Sequence, residues 1–161
     1  MHMMYFTEQP MSAYDSAEGL RYGSTALTFS NKHFDSVEGS RLYNEYLEDY
    51  ILAEEYGADG IMLNEHHNAP FCMQARTNMF GAILAAATKK VKIVILGNPL
   101  PLSDNPVQLA EELAMIDMIS KGRLVSGFVR GGGQQQRCSE GRAGGCPREP
   151  SAPVAQLRPR H

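Results

Sequence analysis

The stretch that decides the fold is residues 60–67, which read Gly60-Ile61-Met62-Leu63-Asn64-Glu65-His66-His67. The first four residues form a short run that is apolar on both faces, which is typical of a strand inside a parallel sheet covered by helices. In such sheets, chemistry lies beyond the carboxyl ends of the strands. A carboxylate and two imidazoles directly after the run therefore suggest an active site, although a polar loop that happens to hold histidines fits the same pattern.

Helix and strand patterns alternate on both sides of this stretch. Before it, apolar residues recur at three- and four-residue spacing and predict a helix from about residue 41 to Gly57. Beyond the histidines, the same spacing predicts a helix over about 75–88. The β-branched run over 91–96 then predicts a strand that ends before Gly97-Asn98-Pro99.

A third helix and two more strands complete the pattern. Asn105 is suited to cap a helix, with Pro106 at its first position, and Gly122 is suited to end it at positive φ. Strands are predicted over 124–129 and near 4–7. Residues 10–40 fit the pattern poorly, and 24–29 are read there as an extra strand or a hairpin.

Strand-helix units with short connections require parallel pairing and right-handed crossovers. Four parallel strands could be half of an eight-stranded barrel or a small open sheet, and periodicity alone does not decide between them. No G-x-G-x-x-G segment follows a strand, so the fingerprint of a dinucleotide-binding fold is missing. Arg123 and Asp117 are interpreted as scaffold residues that join helix to strand.

Composition excludes several classes of function. The chain has 161 residues, of which 43% are hydrophobic and 20% charged, as expected of a soluble globular protein. The net charge of −3 does not favour binding to nucleic acid or to an anionic membrane. No window approaches the ~20 apolar residues of a membrane span. We expect a cytoplasmic protein by default.

The cysteines and histidines do not form a metal or disulfide pattern. Cys72, Cys138 and Cys146 are an odd set without CxxC spacing, which argues against a disulfide framework and against a zinc site. Cys72 is read as a buried or loop thiol. Glu65 and His66 could in principle bind a metal together with the next histidine, but adjacent residues of an extended chain point to opposite faces. We therefore expect no metal.

Composition changes near residue 133. Residues 134–161 hold 5 Arg and 2 Glu, a net charge of +3, against −6 for residues 1–133. This tail contains no Ile, Met, Phe, Tyr or Lys, so it cannot bury enough apolar surface to offset the entropy of ordering. We predict a folded domain over 1–133 and a disordered tail over 134–161. The tail is either a natural flexible segment or the product of a shifted reading frame, and we favour the second.

Four segments taken in order resemble one known family. They lie at 60–67, 105–111, 117–124 and 127–132, and the chain from Tyr46 to Gly132 resembles the bacterial luciferase-like, flavin-dependent monooxygenases. The resemblance implies a (β/α)8 barrel, a fold that typically needs ~250 residues. The expected fold class is therefore α/β, a TIM-barrel type truncated to roughly its first four β/α units.

The resemblance implies roles for the residues that follow the second strand. His66 matches the family's catalytic histidine, and Glu65 matches the acidic member of a Glu-His pair that faces the flavin. Glu65 either shares the chemistry or orients His66 or the flavin edge. The role of the position matched by His67 is less certain. Histidine suits such a site because its ordinary pKa of about 6.5 allows proton exchange at neutral pH.

The next two strands carry the other implied flavin contacts. Gly97 and Asn98 match the end of the third strand, where family members often hold a non-proline cis peptide that the surroundings must enforce. Arg130 matches an arginine that approaches the flavin phosphate, and its fork of donors suits phosphate oxygens. Flanking glycines allow the backbone to approach a ligand closely.

Two hypotheses about function follow. In the first, the chain is an oxidoreductase that uses reduced FMN, or alternatively a deazaflavin, to insert one oxygen atom of O2 into a small organic substrate. A separate flavin reductase would then supply the cofactor. In the second, the chain is a catalytically inactive truncated fragment of such an enzyme. A half barrel exposes two strand edges and its inner face, so we expect an oligomer or association through those edges.

Overall fold

A four-stranded parallel sheet with helices packed against it makes up most of the described part of the chain. The computed structural model describes residues 1–21, 29, 31–67, 70–103 and 105–131. The strands are β1 (Met4–Phe6), β2 (Gly60–Leu63), β3 (Lys92–Pro99) and β4 (Leu124–Val129), and they pair in the order β1-β2-β3-β4. The helices are α1 (Ser16–Arg21), α2 (Ser36–Glu55), α3 (Thr77–Ala87) and α4 (Pro106–Ser120), with short 3₁₀ turns at Asn31–His33 and Leu100–Leu102.

The alternation of strands and helices predicted from the sequence is confirmed. The extra strand or hairpin predicted over 24–29 falls almost entirely outside the described residues, as does the tail over 134–161. The largest error at an element boundary concerns α2, which begins five residues before the predicted start. Asp35 explains the earlier start, because its carboxylate accepts hydrogen bonds from the amides of Val37 at 2.8 Å and Glu38 at 3.1 Å.

The ends of α4 follow the predicted capping chemistry. The side-chain oxygen of Asn105 accepts the amide of Val107 at 3.0 Å, and Pro106 occupies the first turn. At the other end Lys121 has a φ of 60° and Gly122 a φ of 78°, so the chain leaves the helix through two left-handed residues. This tight exit delivers the chain directly into β4.

The hydrophobic core lies between the helices and one face of the sheet. One row of paired strand residues, Tyr5, Ile61, Ile93 and Leu124, packs on the helix side. The helices contribute Tyr50, Phe80, Leu84, Leu109, Leu113 and Ile116. Met79 and Met115 lie on outward helix positions and are 69% and 57% exposed.

Three tyrosines of α2 donate hydrogen bonds to backbone carbonyls in β2 and in the loops that follow the strands. The Tyr50 hydroxyl donates to the carbonyl of Met62 at 3.0 Å, and its ring packs edge-on against Tyr5. Tyr46 donates to the carbonyl of Pro10 at 2.7 Å, and Tyr43 donates to the carbonyl of Met73. The three rings pack in or against the core, and their hydroxyls also satisfy backbone carbonyls in and near the sheet.

Arg123 joins α3, β3 and α4 at the opposite end of the sheet. Its guanidinium donates to the carbonyls of Ser120, Ala85, Thr88 and Val91 and to the Thr88 hydroxyl, over 2.7–2.9 Å. Its predicted scaffold role is confirmed. Asp117 contributes through its backbone, since its carbonyl accepts the amide of Gly122 at 3.0 Å, while its side chain is exposed.

Candidate active site

Glu65 is a buried carboxylate that links the end of β2 to the start of α3. Its side chain is 4% exposed, and Oε2 accepts the backbone amide of Thr77, the first residue of α3, at 3.0 Å. Arg76, at the N-cap position, provides no side-chain cap of its own. The negative charge therefore sits where the free amides and the positive end of the helix dipole stabilise it.

The two imidazoles pair with different carboxylates. His67 Nε2 lies 3.0 Å from Glu65 Oε1, whereas His66 Nε2 lies 3.8 Å from Glu8 Oε2. The His66 ring also packs edge-on against Phe71, with the ring centres 5.1 Å apart. Glu65 Oε1 also lies 3.9 Å from Nη1 of Arg76. Glu65 and His67 lie two residues apart on an extended chain and face the same side, whereas His66 between them faces the other side.

Glu8 is a site residue that the sequence analysis missed. It follows β1 closely, and its Oε2 also accepts a hydrogen bond from Nδ2 of Asn64. The signal was present in the sequence, because a carboxylate after the first strand belongs to the same sheet end as residues 64–67. The sequence analysis did not use this signal because no recognisable motif surrounds Glu8.

Asn64 connects this carboxylate to a buried thiol. Cys72 Sγ lies 3.6 Å from Asn64 Oδ1, and Cys72 is 2% exposed. Burial raises the pKa of Cys72 to about 12. The Cys72 thiol therefore stays protonated and acts as a packing group and a weak hydrogen-bond donor. Its burial agrees with one of the two alternatives predicted for Cys72, a buried thiol or a loop thiol.

Gly97 and Asn98 lie within β3 and not after it. The register between β3 and β4 shifts between Ile95 and Asn98, and Gly97 has a φ of 126°. A Cβ at Gly97 would lie 2.3 Å from Cγ1 of Val129, so only glycine fits. The cis peptide that the family resemblance implied here is absent, since no described residue has one. The irregularities of β3 at this point are instead the register shift and the positive φ of Gly97.

Asn98 carries an unsatisfied buried donor. The residue is 4% exposed, and its Nδ2 has no hydrogen-bond partner among the described residues. A buried amide without a partner costs ~1–3 kcal/mol. It is therefore a candidate to meet a ligand acceptor.

A cleft between α3 and α4 joins two of the predicted residues. It has a volume of about 550 Å³ and is lined by Glu65 and Asn98, by Arg76, and by helix side chains that include Met79 and Met115. His66 and Arg130 are not among its lining residues. Arg130 is exposed after β4 and forms no ion pair with a described residue. The structure thus brings Glu65 and Asn98 together and leaves His66 beside Glu8.

The described ranges contain no cluster of three or more potential metal ligands among His, Cys, Asp and Glu. Within the same ranges, no helix is both long and apolar enough to cross a bilayer.

Comparison with known proteins identifies the family. The model of the luciferase-like monooxygenases matches residues 25–158. The chain belongs to the luciferase-like monooxygenase family. A family member from Photorhabdus laumondii, the alkanal monooxygenase alpha chain, is 30% identical over 112 residues, which are 70% of this chain and 30% of that protein. The oxygenase component of a flavin-dependent trigonelline monooxygenase from Acinetobacter baylyi is 35% identical over 97 residues, 60% of this chain and 27% of that protein.

Solved structures of monooxygenases share the fold of this chain. A monooxygenase from Streptomyces bottropensis superposes with a TM-score of 0.62 at 25% identity and covers 85% of this chain and 36% of its own. The oxygenating constituent of 3,6-diketocamphane monooxygenase from Pseudomonas putida, solved in complex with FMN, gives a TM-score of 0.61 at 17% identity, over 88% of this chain and 32% of its own. The chain thus spans about a third of the length of these relatives.

Proposed function

We propose that the end of the sheet carrying residues 64–67 is the flavin side of a luciferase-like oxygenase that inserts one oxygen atom of O2 into a small organic substrate. The observation that carries the proposal is the buried Glu65 at the carboxyl end of β2, within a chain of this family. Each imidazole beside it has its own carboxylate. A paired imidazole at the end of a parallel strand is suited to controlled proton transfer.

Features of the described residues are compatible with a flavin. The free Nδ2 of Asn98 suits a ring carbonyl or ring nitrogen, and the bare Cα of Gly97 permits a close backbone approach. The exposed Arg130 offers a fork of donors for the phosphate of FMN. When bound, reduced flavin supplies the electrons and the centre at which O2 is activated.

The side chains divide the remaining work between them. His66 holds a proton at Nε2 or releases it, and Glu8 stabilises the charged ring. Glu65 caps α3, and it holds His67 in place. Phe71 covers one side of the His66 ring and limits its contact with water. His66 is therefore proposed as the catalytic residue, and Glu65 as a positioning residue that holds His67 and the start of α3.

A specific observation favours the second candidate function, a catalytically inactive fragment. The chain spans 30% of the Photorhabdus relative, and no described strand covers the outer edges of β1 and β4. A complete eight-stranded barrel, a cytoplasmic location, a separate reductase and the choice of FMN over a deazaflavin are likewise proposals. They share one requirement, which is that this chain binds reduced flavin.

Anaerobic titration of the 161-residue protein tests that requirement. Reduced FMN is expected to bind saturably, and reduced riboflavin, which lacks the phosphate, more weakly. A reduced deazaflavin is titrated in parallel and identifies the cofactor if it binds more tightly than FMN. Absence of saturable binding by a folded protein would reject the oxygenase and support the inactive fragment.

A variant separates the phosphate contact from flavin binding in general. Arg130→Ala is expected to weaken reduced FMN about tenfold, the value of one charge-assisted hydrogen bond, and to leave riboflavin unchanged. Arg41→Ala, which removes another exposed arginine, on α2, is the matched control. Equal effects of Arg130→Ala on both flavins would contradict the phosphate role of Arg130 alone.

A further inference from the structure

The two faces of the sheet are both apolar, but the described residues cover only one of them. Opposite the helix side, the paired residues Phe6, Met62, Val94 and Val125 form a second row, one from each strand. The two at the ends of this row remain open, since Phe6 is 41% and Val125 47% exposed. Parallel sheets are normally covered on both faces, so this face requires a partner.

The outer strands present two complementary edges. β1 and β4 end the strand order, and no described strand pairs with the outer edge of either. All four strands run in the same direction. An open parallel edge carries unpaired amides and carbonyls and is a template for another parallel strand. The open edge of β4 in one molecule can therefore pair with the open edge of β1 in a second molecule.

We propose that this face binds a second copy of the same chain, with β4 of each copy alongside β1 of the other. A two-fold rotation about an axis parallel to the strands preserves strand direction, so both new pairings are parallel. Four strands from each copy then close eight strands, the number in which side chains just fill the interior. The contact is self-complementary, as a two-fold interface must be, and leaves no edge open.

The composition and size of the face agree with this occupant. Lys92 is the one charged strand residue on this face, in the row of Met4 and Gly60 at the amino ends of the strands, and its Nζ donates to the carbonyl of Gly122 at 3.3 Å. The rows beyond it carry no charge, so there two copies meet without like-charge repulsion. Five exposed apolar side chains on β1, β3 and β4 leave on the order of 400 Å² uncovered per copy, and the paired edges bring this toward the ~800 Å² per partner of a stable interface. These side chains are Met4, Phe6, Leu96, Val125 and Val129.

The closed assembly has a consequence for the candidate active site. Because strand direction is preserved, the carboxyl ends of all eight strands lie at one mouth, which carries residues 64–67 of both copies. A site that is open in one copy is then walled by the other. This consequence rests on the proposed function, whereas the assembly itself rests only on the sheet.

Sedimentation velocity of the 161-residue protein over a wide range of concentration tests the assembly. We expect a dimer with twice the mass of the 17.8 kDa chain. Val125→Lys puts a charge on the uncovered face and is expected to weaken the dimer at least tenfold. Val37→Lys is the matched control, because Val37 is 78% exposed on α2 and lies on another element. Circular dichroism checks that both variants fold.

Four outcomes overturn the proposal. A monomer at every concentration does so, and so does a dimer that Val125→Lys leaves intact. A dimer that is lost in Met118→Lys, on the exposed side of α4, but not in Val125→Lys would place the interface on the helices. Should Val125→Lys fail to fold, hydrogen exchange of the wild type decides, because the β1 and β4 amides must exchange more slowly as the dimer forms. Protection that is independent of concentration means that the chain covers its own face and also overturns the proposal.

The flavin titration is independent of this result. A dimer that binds no reduced flavin would reject the proposed function and leave the assembly standing. A monomer that binds reduced flavin would do the reverse.

Discussion

The carboxylate of Glu65 accepts a hydrogen bond from the backbone amide of Thr77 at 3.0 Å, so a residue that follows β2 caps the helix that leads to the next strand. Thr77 is fully buried, and its amide has no water to return to. The residue that matches a catalytic position is thus also a structural cap. Because Glu65 bears on both function and stability, the effect of a Glu65 substitution on each must be measured separately.

Glu65→Ala is expected to destabilise the protein by about 2 kcal/mol, because it leaves the Thr77 amide and the His67 ring without their acceptor. Glu65→Gln keeps one oxygen for the amide and should cost less. Urea unfolding at pH 7 measures both, with the exposed Glu48→Ala as control. If Glu65→Ala costs no more than Glu48→Ala, the cap does not stabilise the fold.

Glu54 makes folding sensitive to acid. Its carboxylate accepts the amides of Lys89, Lys90 and Val91 over 2.6–3.0 Å at the turn before β3. Burial by itself raises the pKa of Glu54, but these amides and the Arg123 guanidinium together lower it below the usual 4.5. The charged form is therefore favoured by folding. The contribution of the Glu54 carboxylate to the free energy of unfolding is complete above the pKa of this group in the unfolded state. It is lost as the pH falls through the lower pKa of the folded state.

Glu54→Gln should accordingly cost about 1 kcal/mol at pH 7, a value that allows for the partial exposure of the group. The difference from the wild type should shrink as the pH falls below 4.5. Chemical unfolding across pH 3–7 measures this, with the exposed neighbour Glu55→Gln as control. A difference that does not change with pH would show that charge is not what the turn requires.

Much of this architecture could be predicted from the sequence, and the exceptions share a cause. The β-branched run at 91–96 and the Asn105-Pro106 cap specify β3 and α4 locally, so both were predicted correctly. Glu8 and Glu54 were missed because their partners lie 56 to 58 and 35 to 37 residues away along the chain.

Arg123→Lys should cost about 2 kcal/mol, although it keeps the charge. A lysine cannot reproduce the planar fork that reaches carbonyls of α3, α4 and the turn before β3 together. Thermal unfolding compares it with Arg41→Lys, where the replaced arginine pairs only with exposed glutamates of its own helix. Similar losses in the two variants would mean that the fork geometry is unimportant.

Cys72 should resist thiol reagents. Burial raises its pKa from 9.0 to about 12, so the thiolate fraction at pH 8 is about a thousandfold smaller than for an ordinary thiol. Mass spectrometry of peptides after brief alkylation measures the rate in native protein and in guanidinium. Comparable rates in the two conditions would contradict the burial of Cys72 beside Asn64.

The central claim is that reduced flavin binds at the sheet end that carries His66, and nuclear magnetic resonance of histidine side chains tests it most directly. Reduced FMN is added anaerobically to protein labelled at its imidazoles, and His66→Gln assigns the signal. The account predicts a saturable shift of the His66 ring and none for His2, whose side chain is 81% exposed near the start of the chain. A folded protein whose His66 signal stays fixed at saturating reduced FMN would contradict the account.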